Sequence, residues 1–151
     1  MKLEDRLFED MKTAMKAGRK EELATIRMVR AQLKEARITK RADLTDEDVI
    51  SALQQAAKRR REAIDLYVIG NRQDLVEKEK NELKIIEKYL PEQLSEDDIK
   101  SVIKQNIEKL GITSEKDIGK LMGTLMSQLK GKADGKVVQQ LARTALANLS
   151  Q

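Results

Sequence analysis

Lysines gather around two glycines near the carboxyl end of the chain, in a segment whose chemistry would be the binding of phosphate. Residues 130–136 read Lys-Gly-Lys-Ala-Asp-Gly-Lys. Gly131 is placed to end one helix in a left-handed conformation, and Asp134 can cap the next, with Gly135 easing its start. A helix amino terminus ringed by lysines attracts anions, because its first N–H groups are unpaired. The candidate phosphate contacts are therefore Lys130, Gly131, Lys132, Asp134, Gly135 and Lys136, with Lys120 as a weaker candidate.

The same seven residues also fit an ordinary solvent-exposed corner between two helices. Lysines are common on such corners, where water solvates their ammonium groups. On spacing alone the corner is the commoner arrangement, so phosphate binding is one of two interpretations that the sequence leaves open.

Two further groups of basic residues are candidates for phosphate contacts. Arg27 and Arg30 lie on the predicted second helix, and Arg59 and Arg60 belong to a run of four basic residues at 58–61. Four consecutive residues on a helix point in nearly all directions, so part of this run must be solvated whatever its use. A solvated surface is the more usual role for such a run, and a phosphate contact is the alternative.

Charge is spread unevenly, although the net charge is only +4. Residues 18–41 hold eight basic and three acidic side chains, and residues 118–151 hold five basic and one acidic. Residues 92–117 instead hold seven acids against four lysines. Local basic fields of this kind can attract a polyanion, although they are also common on helical surfaces.

Several classes of site are excluded or disfavoured by composition. The chain has no cysteine and no histidine, which removes disulfides, zinc thiolates and the usual acid–base catalyst. The acidic clusters at 46–48 and 96–98 fall in first helical turns, where they complete caps. No Walker loop, dinucleotide fingerprint or serine elbow is present. We expect no metal, no nucleotide cofactor and no membrane segment, and a cytoplasmic protein.

Apolar residues recur at three- and four-residue intervals along almost the whole chain, and strand-like runs are absent. This pattern predicts an all-α fold of seven helices. Glycines at 18, 111 and 131 and the pair Gly70-Asn71 mark helix ends, and the basic segment 38–44 interrupts the pattern. Three capping boxes mark helix starts: Thr45 with Asp48, Ser95 with Asp98, and Ser114 with Asp117.

Some residues inside the helices carry further expectations. Gly119 and Gly123 lie on one stripe, each at a cost of about 1 kcal/mol relative to alanine, which suggests that another backbone or a ligand approaches that side. The six methionines lie at core spacing and are interpreted as packing. Tyr67 and Tyr89 are expected to pack on the core with their hydroxyl groups in water, rather than to stack on nucleobases.

Pro91 marks the best domain boundary, because the residue before a proline is pushed out of the helical region. Four predicted helices precede it and three follow it. We therefore expect two helical subdomains, an N-terminal four-helix subdomain at 1–91 and a C-terminal three-helix subdomain at 92–151. The second is small for an independent core but within the range that folds alone.

The chain resembles the GatB/YqeY family, specifically its free-standing YqeY-like proteins, over nearly its whole length. Four segments carry the resemblance: Arg-Met-Val-Arg-Ala at 27–31, Tyr-Leu-Pro-Glu-Gln-Leu at 89–94, Asp-Ile-Gly-Lys-Leu-Met-Gly at 117–123, and Lys-Gly-Lys-Ala-Asp-Gly at 130–135. The resemblance implies an all-α fold in two subdomains. It also implies a link to the tRNA-dependent amidotransferase, whose B subunit has a related helical tail that contacts the tRNA body.

Three functions are compatible with these observations. The first is a module that binds tRNA or structured RNA. The second is an adaptor for an amidotransferase or an aminoacyl-tRNA synthetase, which would bind through the Gly119 and Gly123 face. The third, implied by the resemblance alone, is a carbon–nitrogen ligase with glutamine as amide donor. We rank them in that order, because the residues that carry out amide transfer in the larger enzyme are absent here.

Overall fold

The computed structural model describes residues 1–149, which form seven α-helices, one short 3₁₀ turn and no β-strand. The all-α class predicted from the apolar periodicity is therefore confirmed. The C-terminal limit predicted for the second subdomain, residue 151, lies outside the described residues. Contacts divide the chain into two compact units, Met1–Pro91 and Glu92–Gln151, called the first and second unit below. No helix in the described part of the chain is long and apolar enough to cross a membrane.

The first unit contains four helices around one apolar core. They are α1 (Leu3–Lys16), α2 (Lys20–Lys40), α3 (Asp46–Ile69) and α4 (Gln73–Glu87). Each helix buries one stripe of aliphatic side chains, as its periodicity requires. The large side chains that are fully buried in this core include Leu7, Ile26, Leu53, Ile86 and Val49.

The start of α3 shows the predicted capping box. The Asp48 N–H donates to Thr45 Oγ1 at 3.2 Å, and the Thr45 N–H donates back to Asp48 Oδ2 at 2.9 Å. Lys40 also donates to this carboxylate. The hydrogen bond from Lys40 and then that from the Thr45 N–H lower the pKa of Asp48 to about 2. One side chain therefore both caps α3 and holds the end of α2 beside it.

The apolar pattern is interrupted at the segment 38–44 as predicted, but α2 does not end where the pattern does. The helix continues to Lys40 and ends at Arg41, which adopts the left-handed conformation with φ 59°. Ile38 is 67% exposed in this last turn. The apolar periodicity ends here because the helix no longer faces the core, and the backbone needs no apolar stripe to remain helical.

Two expectations about side chains in the first unit are wrong in part. Tyr89 packs in the core as expected and is only 5% exposed, but its hydroxyl donates to Asp10 at 2.6 Å instead of facing water. Burial and this hydrogen bond raise the pKa of Tyr89. The methionines are not all core residues either, because Met15 and Met28 are 51% and 41% exposed. Both lie close to arginine side chains, with the Met28 sulfur 2.9 Å from Arg60 Nη2.

The second unit contains the three remaining helices. They are α5 (Glu96–Leu110), α6 (Ile118–Leu129) and α7 (Gly135–Leu149), with the 3₁₀ turn at Glu115–Asp117 before α6. Its core consists of isoleucine, leucine, valine and alanine side chains from all three helices, including Ile103, Leu121, Leu125, Val138 and Leu146. The described residues of each unit therefore enclose an apolar core of their own.

Helix starts in the second unit follow the sequence signals in part. Ser95 accepts the N–H of Asp98 at 3.1 Å and caps α5, which is one of the two hydrogen bonds of the predicted capping box. Ser114 instead accepts the N–H of Lys116 at 3.2 Å, so it caps the 3₁₀ turn, and α6 starts only at Ile118. The capping box predicted for Ser114 and Asp117 is wrong, because the tighter turn brings the residue two positions on, rather than three, to the serine oxygen.

One polar pair joins α5 to α6 beside the apolar core. Asn106, only 4% exposed, donates from Nδ2 to Gln128 Oε1 at 2.9 Å and accepts from Gln128 Nε2 at 3.3 Å. Its Nδ2 also donates to the Val102 carbonyl at 2.8 Å. The buried amide is therefore satisfied on both its donor and its acceptor side.

Candidate functional site

The segment from Lys130 to Lys136, called the lysine turn below, is held by hydrogen bonds to the chain that leads into α5. Gln93 Nε2 donates to the Gly131 carbonyl at 2.7 Å, and the Leu94 N–H donates to the Lys132 carbonyl at 3.0 Å. Gly131 adopts φ 80° and ends α6 in the left-handed conformation that the sequence predicts. The backbone of the turn is therefore fixed by partners outside it.

The second half of the lysine turn starts α7. The side chain of Asp134 accepts the Lys136 N–H at 3.0 Å, so the predicted cap is confirmed. Ala133 is 7% exposed and anchors the turn in the core. The side chains of Lys130, Lys132 and Lys136 are all exposed around this helix start. With Asp134 counted, the turn carries a net charge of +2 on residues 130–136.

Lys120 lies apart from the lysine turn, although it is exposed on the same helix that leads to it. Ten residues separate it from Lys130, which corresponds to about 15 Å along an α-helix. The structure therefore brings three of the four candidate lysines together. Lys120 is placed to contact only a different phosphate from the one at the turn.

The glycine stripe of α6 is open. No protein atom of the described residues lies within 4 Å of the position that a Cβ would take on Gly119 or on Gly123. Met126, further along the same helix, is 38% exposed. The expectation that another backbone of this chain packs against the stripe is therefore wrong for the described residues. Contact with a ligand or a partner there stays a prediction.

The basic residues of α2 line a groove beside α1. The groove has a volume of about 580 Å³ and is lined by Arg27, Arg30, Lys34 and Arg37 from α2 and by Phe8 from α1, among others. Arg37 is already paired with Glu4, at 2.5 Å. Arg27, Arg30 and Lys34 have no carboxylate within 4.0 Å among residues 1–149. Three cations on one helical face are therefore not neutralised by ion pairs.

Phe8 is the residue of this groove that the sequence did not reveal. It is 41% exposed, and the guanidinium carbon of Arg30 lies 4.8 Å from the centre of its ring. Lys12 Nζ lies 4.7 Å from the same centre. Periodicity places Leu7 in the core and leaves its neighbour unassigned. The only usable sequence signal was the four-residue spacing of Phe8 and Lys12, and nothing local links Phe8 to Arg30.

Arg59 and Arg60 are placed very differently on α3. Arg59 is exposed and has no ion pair in the described part of the chain. Arg60 is 6% exposed, lies 3.4 Å from Glu82 of α4, and donates to the Ala56 carbonyl at 3.1 Å. Arg60 therefore joins α3 to α4 inside the first unit and is not accessible to a phosphate.

Acidic side chains do not form an evident metal site. Among residues 1–149, no three carboxylates are grouped so that they could hold a metal ion. Asp48 takes part in the capping box of α3, as the capping interpretation requires, whereas Asp46 accepts the Leu3 N–H at the start of α1. The candidate sites are thus basic, one on each unit, and each is positioned by helix ends or by a helix face.

The comparison with known families decides the classification of this chain. The family model described as "Yqey-like protein" matches residues 4–146. The chain belongs to this family. The resemblance noted in the sequence is therefore confirmed, and the match spans both units.

Two groups of relatives are informative among the curated proteins that match. A protein of Pyrenophora tritici-repentis named "Altered inheritance of mitochondria protein 41, mitochondrial" is 33% identical over 130 residues, which cover 85% of this chain and 71% of that protein. Its Saccharomyces cerevisiae namesake is 28% identical, over 86% of this chain and 62% of that protein. Because these names include the word mitochondrial, the cytoplasmic location expected for this chain stays a prediction.

The second group consists of much longer proteins that are components of an enzyme. A component of the glutamyl-tRNA(Gln) amidotransferase of Saccharolobus solfataricus is 37% identical over 67 residues, which are 43% of this chain but only 11% of that protein. The corresponding protein of Thermococcus sibiricus is 39% identical over a similar span. This chain is thus related to part of an amidotransferase component, and the carbon–nitrogen ligase activity stays a prediction.

Proposed function

We propose that this protein is an accessory module that binds tRNA or a similarly structured RNA through its phosphate backbone. The observation that carries the proposal is the lysine turn, where three exposed lysines surround the capped start of α7. The backbone of the turn is held in place by Gln93 and Leu94, so it needs little ordering when a ligand arrives. A fixed cationic turn suits a polyanion whose charges are regularly spaced.

Asp134 limits what the lysine turn can bind. Its carboxylate already accepts a hydrogen bond from the Lys136 N–H and places a negative charge at the start of α7. A single small anion would have to compete with it for the same N–H groups. A long polyanion can instead reach the exposed side chains of Lys130, Lys132 and Lys136. The geometry thus favours nucleic acid over free phosphate.

The relatives support a tRNA-related role. The name of the archaeal amidotransferase components refers to glutamyl-tRNA(Gln), and this chain shares about 40% of its length with them. A segment of a tRNA-dependent enzyme that also occurs as a separate chain is well suited to contact the RNA rather than to carry out the reaction. The proposal therefore assigns no catalytic residue to this chain.

Replacing Lys130, Lys132 and Lys136 with glutamine tests the proposal. Each lysine that neutralises a phosphate contributes a little under one unit to the slope of log K against log salt. The triple variant should therefore bind tRNA more weakly at low salt, with a slope that is shallower by about two to three units. Fluorescence anisotropy with labelled tRNA at a series of salt concentrations measures both quantities.

A matched control removes three lysines from elsewhere in the second unit. Lys100, Lys104 and Lys109 are exposed on α5, so their replacement with glutamine changes the net charge by the same amount. This control should keep the slope of the parent within about one unit. If the lysine-turn variant binds with the slope and affinity of the parent, the turn is only a structural corner and the proposal is wrong.

The open glycine stripe of α6 supports a second candidate, an adaptor that binds a protein such as an amidotransferase or an aminoacyl-tRNA synthetase. Gly119 and Gly123 leave room for a helix to approach closely, and Met126 offers exposed apolar surface beside them. Binding of this kind would depend weakly on salt. Gly123→Leu should block it without changing tRNA affinity, and co-purification with a purified amidotransferase measures the outcome.

A further inference from the structure

The groove between α1 and α2 of the first unit combines charge with an exposed aromatic ring. Arg27, Arg30 and Lys34 lie at intervals of three and four residues, so they share one face of α2. Their first and last members are seven residues apart, which is about 10.5 Å along the helix. No carboxylate of residues 1–149 lies within 4.0 Å of any of them. This face of α2 can therefore attract a ligand that carries more than one negative charge.

Arg30 and Phe8 form a stacked pair inside the groove. The guanidinium carbon lies 4.8 Å from the ring centre, which is within the range of a cation–π contact. Phe8 is 41% exposed, although Lys12 Nζ also lies over its ring, 4.7 Å from the centre, so a base would stack on this group of ring and cations rather than on a bare ring. Aromatic rings and guanidinium planes are the two surfaces on which proteins stack bases that RNA leaves unpaired. The groove thus offers a stacking surface directly beside unpaired cations.

The groove is acidic at the end where Arg37 lies. Glu4 is held by Arg37, and Asp5 also lines the groove. A bound polyanion would be repelled from this end and drawn along α2 toward Arg27. Negatively charged phosphate is therefore favoured along α2, whereas an uncharged ring is favoured at Phe8.

We propose that the α1–α2 groove binds an unpaired nucleotide of RNA, with its base stacked on Phe8 and Arg30 and neighbouring phosphates at Arg27 and Lys34. The inference rests on the proposed function, since it names the kind of RNA that the module selects. A base within a duplex has both faces covered by its neighbours and cannot reach the ring. The groove therefore adds a preference for loops, bulges or ends to the sequence-independent attraction of the lysine turn.

The test compares two RNAs with the same number of phosphates, a hairpin with an unpaired loop and a blunt duplex. The loop carries a fluorescent purine analogue whose emission falls when it stacks. The parent chain should prefer the hairpin by about tenfold, because one stacked base is worth a factor of that order, and should quench the analogue. Phe8→Leu should remove both the preference and the quenching, whereas Phe8→Trp should retain them.

Two controls separate this inference from the proposed function. Tyr67→Leu removes a half-buried ring elsewhere in the first unit and should leave the preference for the hairpin unchanged. Replacing Arg27 and Lys34 together with glutamine should make the salt slope shallower by about two units for the hairpin and by less for the duplex.

The outcomes are distinct. If Phe8→Leu retains the hairpin preference and the quenching while the lysine-turn variant loses salt dependence, the groove inference is wrong and the proposed function stands. If the parent chain binds neither RNA, both are wrong. If an acidic peptide competes with the hairpin only in the parent and not in the Arg27 and Lys34 variant, while no quenching occurs, the groove is a protein site and the nucleotide inference is overturned.

Discussion

Arg60 and Arg27 lie on neighbouring helices of the first unit and are used in different ways. Arg60 is buried against Glu82, and removing either partner would leave an uncompensated charge inside the protein at a cost of about 3–5 kcal/mol. Arg27 is exposed, and its guanidinium contacts the Met15 sulfur at 4.0 Å. At the scale of single residues, burial therefore distinguishes charges that the fold uses from charges that remain for a ligand.

Asp48 gives a prediction about pH at this scale. The hydrogen bonds from Lys40 and Thr45 lower its pKa to about 2, against 3.8 for an isolated aspartate. A carboxylate with a lowered folded pKa stabilises the protein above its unfolded pKa, and the contribution disappears as the pH falls through the folded value. Asp48→Asn should therefore lower the thermal midpoint at pH 6, and the difference from the parent should shrink below pH 4 and vanish near pH 2.

Circular dichroism melts at several pH values measure this difference. Asp43→Asn is the matched control, because it removes an exposed carboxylate of the same segment that has no ion pair in the described part of the chain. Its melts should follow those of the parent at each pH. An equal destabilisation of Asp48→Asn at pH 2 and pH 6 would show that its ionised form contributes nothing.

Residue by residue, the sequence predicts side chains whose partners are close along the chain. The cap of Asp134 on Lys136 and that of Thr45 on Asp48 involve residues two or three positions apart, so spacing suffices to find them. The pairing of Arg60 with Glu82 and the contact of Phe8 with Arg30 span 22 residues each. Such contacts depend on how helices pack, which residue types alone do not specify.

At the scale of elements, replacement of glycine by alanine should have opposite effects on stability inside α6, at Gly123, and at its end, at Gly131. Gly123 lies inside the helix with open space around it, so Gly123→Ala should stabilise the protein by about 0.5–1 kcal/mol through helix propensity. Gly131 has φ 80°, which is unfavourable for a residue with a Cβ, so Gly131→Ala should cost about 1–2 kcal/mol.

Urea unfolding followed by circular dichroism measures both changes. Each variant serves as the other's control, because both add a single methyl group to the same helix and its end. Two changes of the same sign would contradict the assignment of these glycines to a helix interior and a left-handed terminus. Gly123→Ala also tests the adaptor candidate, since added stability with lost partner binding would show that the open stripe is used.

The presence of each helix was predictable, because the apolar periodicity shows which face of the helix is buried. Element ends were less predictable, and the reason differs between them. The last turn of α2 lost its apolar stripe while it remained helical as far as Lys40. Ser114 capped a 3₁₀ turn that has no signature distinct from a capping box. The apolar pattern therefore does not locate the end of a helix whose last turn is exposed, or the start of a helix that follows a 3₁₀ turn.

At the scale of the whole molecule, each unit has its own apolar core. We propose that residues 1–91 and 92–151 fold independently. The core of the first unit includes Leu7, Ile26 and Leu53, whereas that of the second is built on Ile103 and Leu121. Expressed separately, both fragments should be helical and unfold cooperatively, and the shorter fragment should have the lower thermal midpoint because small domains bury less of their surface.

Circular dichroism and thermal melts of the two fragments test this proposal, with the full chain as control. The sum of the fragment spectra should match the spectrum of the full chain. A fragment that is unfolded alone would show that its core depends on the rest of the protein. The lysine turn and the α1–α2 groove could then not be studied as separate RNA-binding sites.

The amide pair of Asn106 and Gln128 has a consequence for how uniquely the second unit is arranged. Isoleucine and leucine attract one another without regard to direction, so α6 displaced by one turn along α5, about 5.4 Å, would bury nearly as much apolar surface. That displacement would separate the two amides and leave a buried one without its partner, at a cost of about 1–3 kcal/mol. The pair thus selects one register of the two helices among several that apolar contact alone would permit.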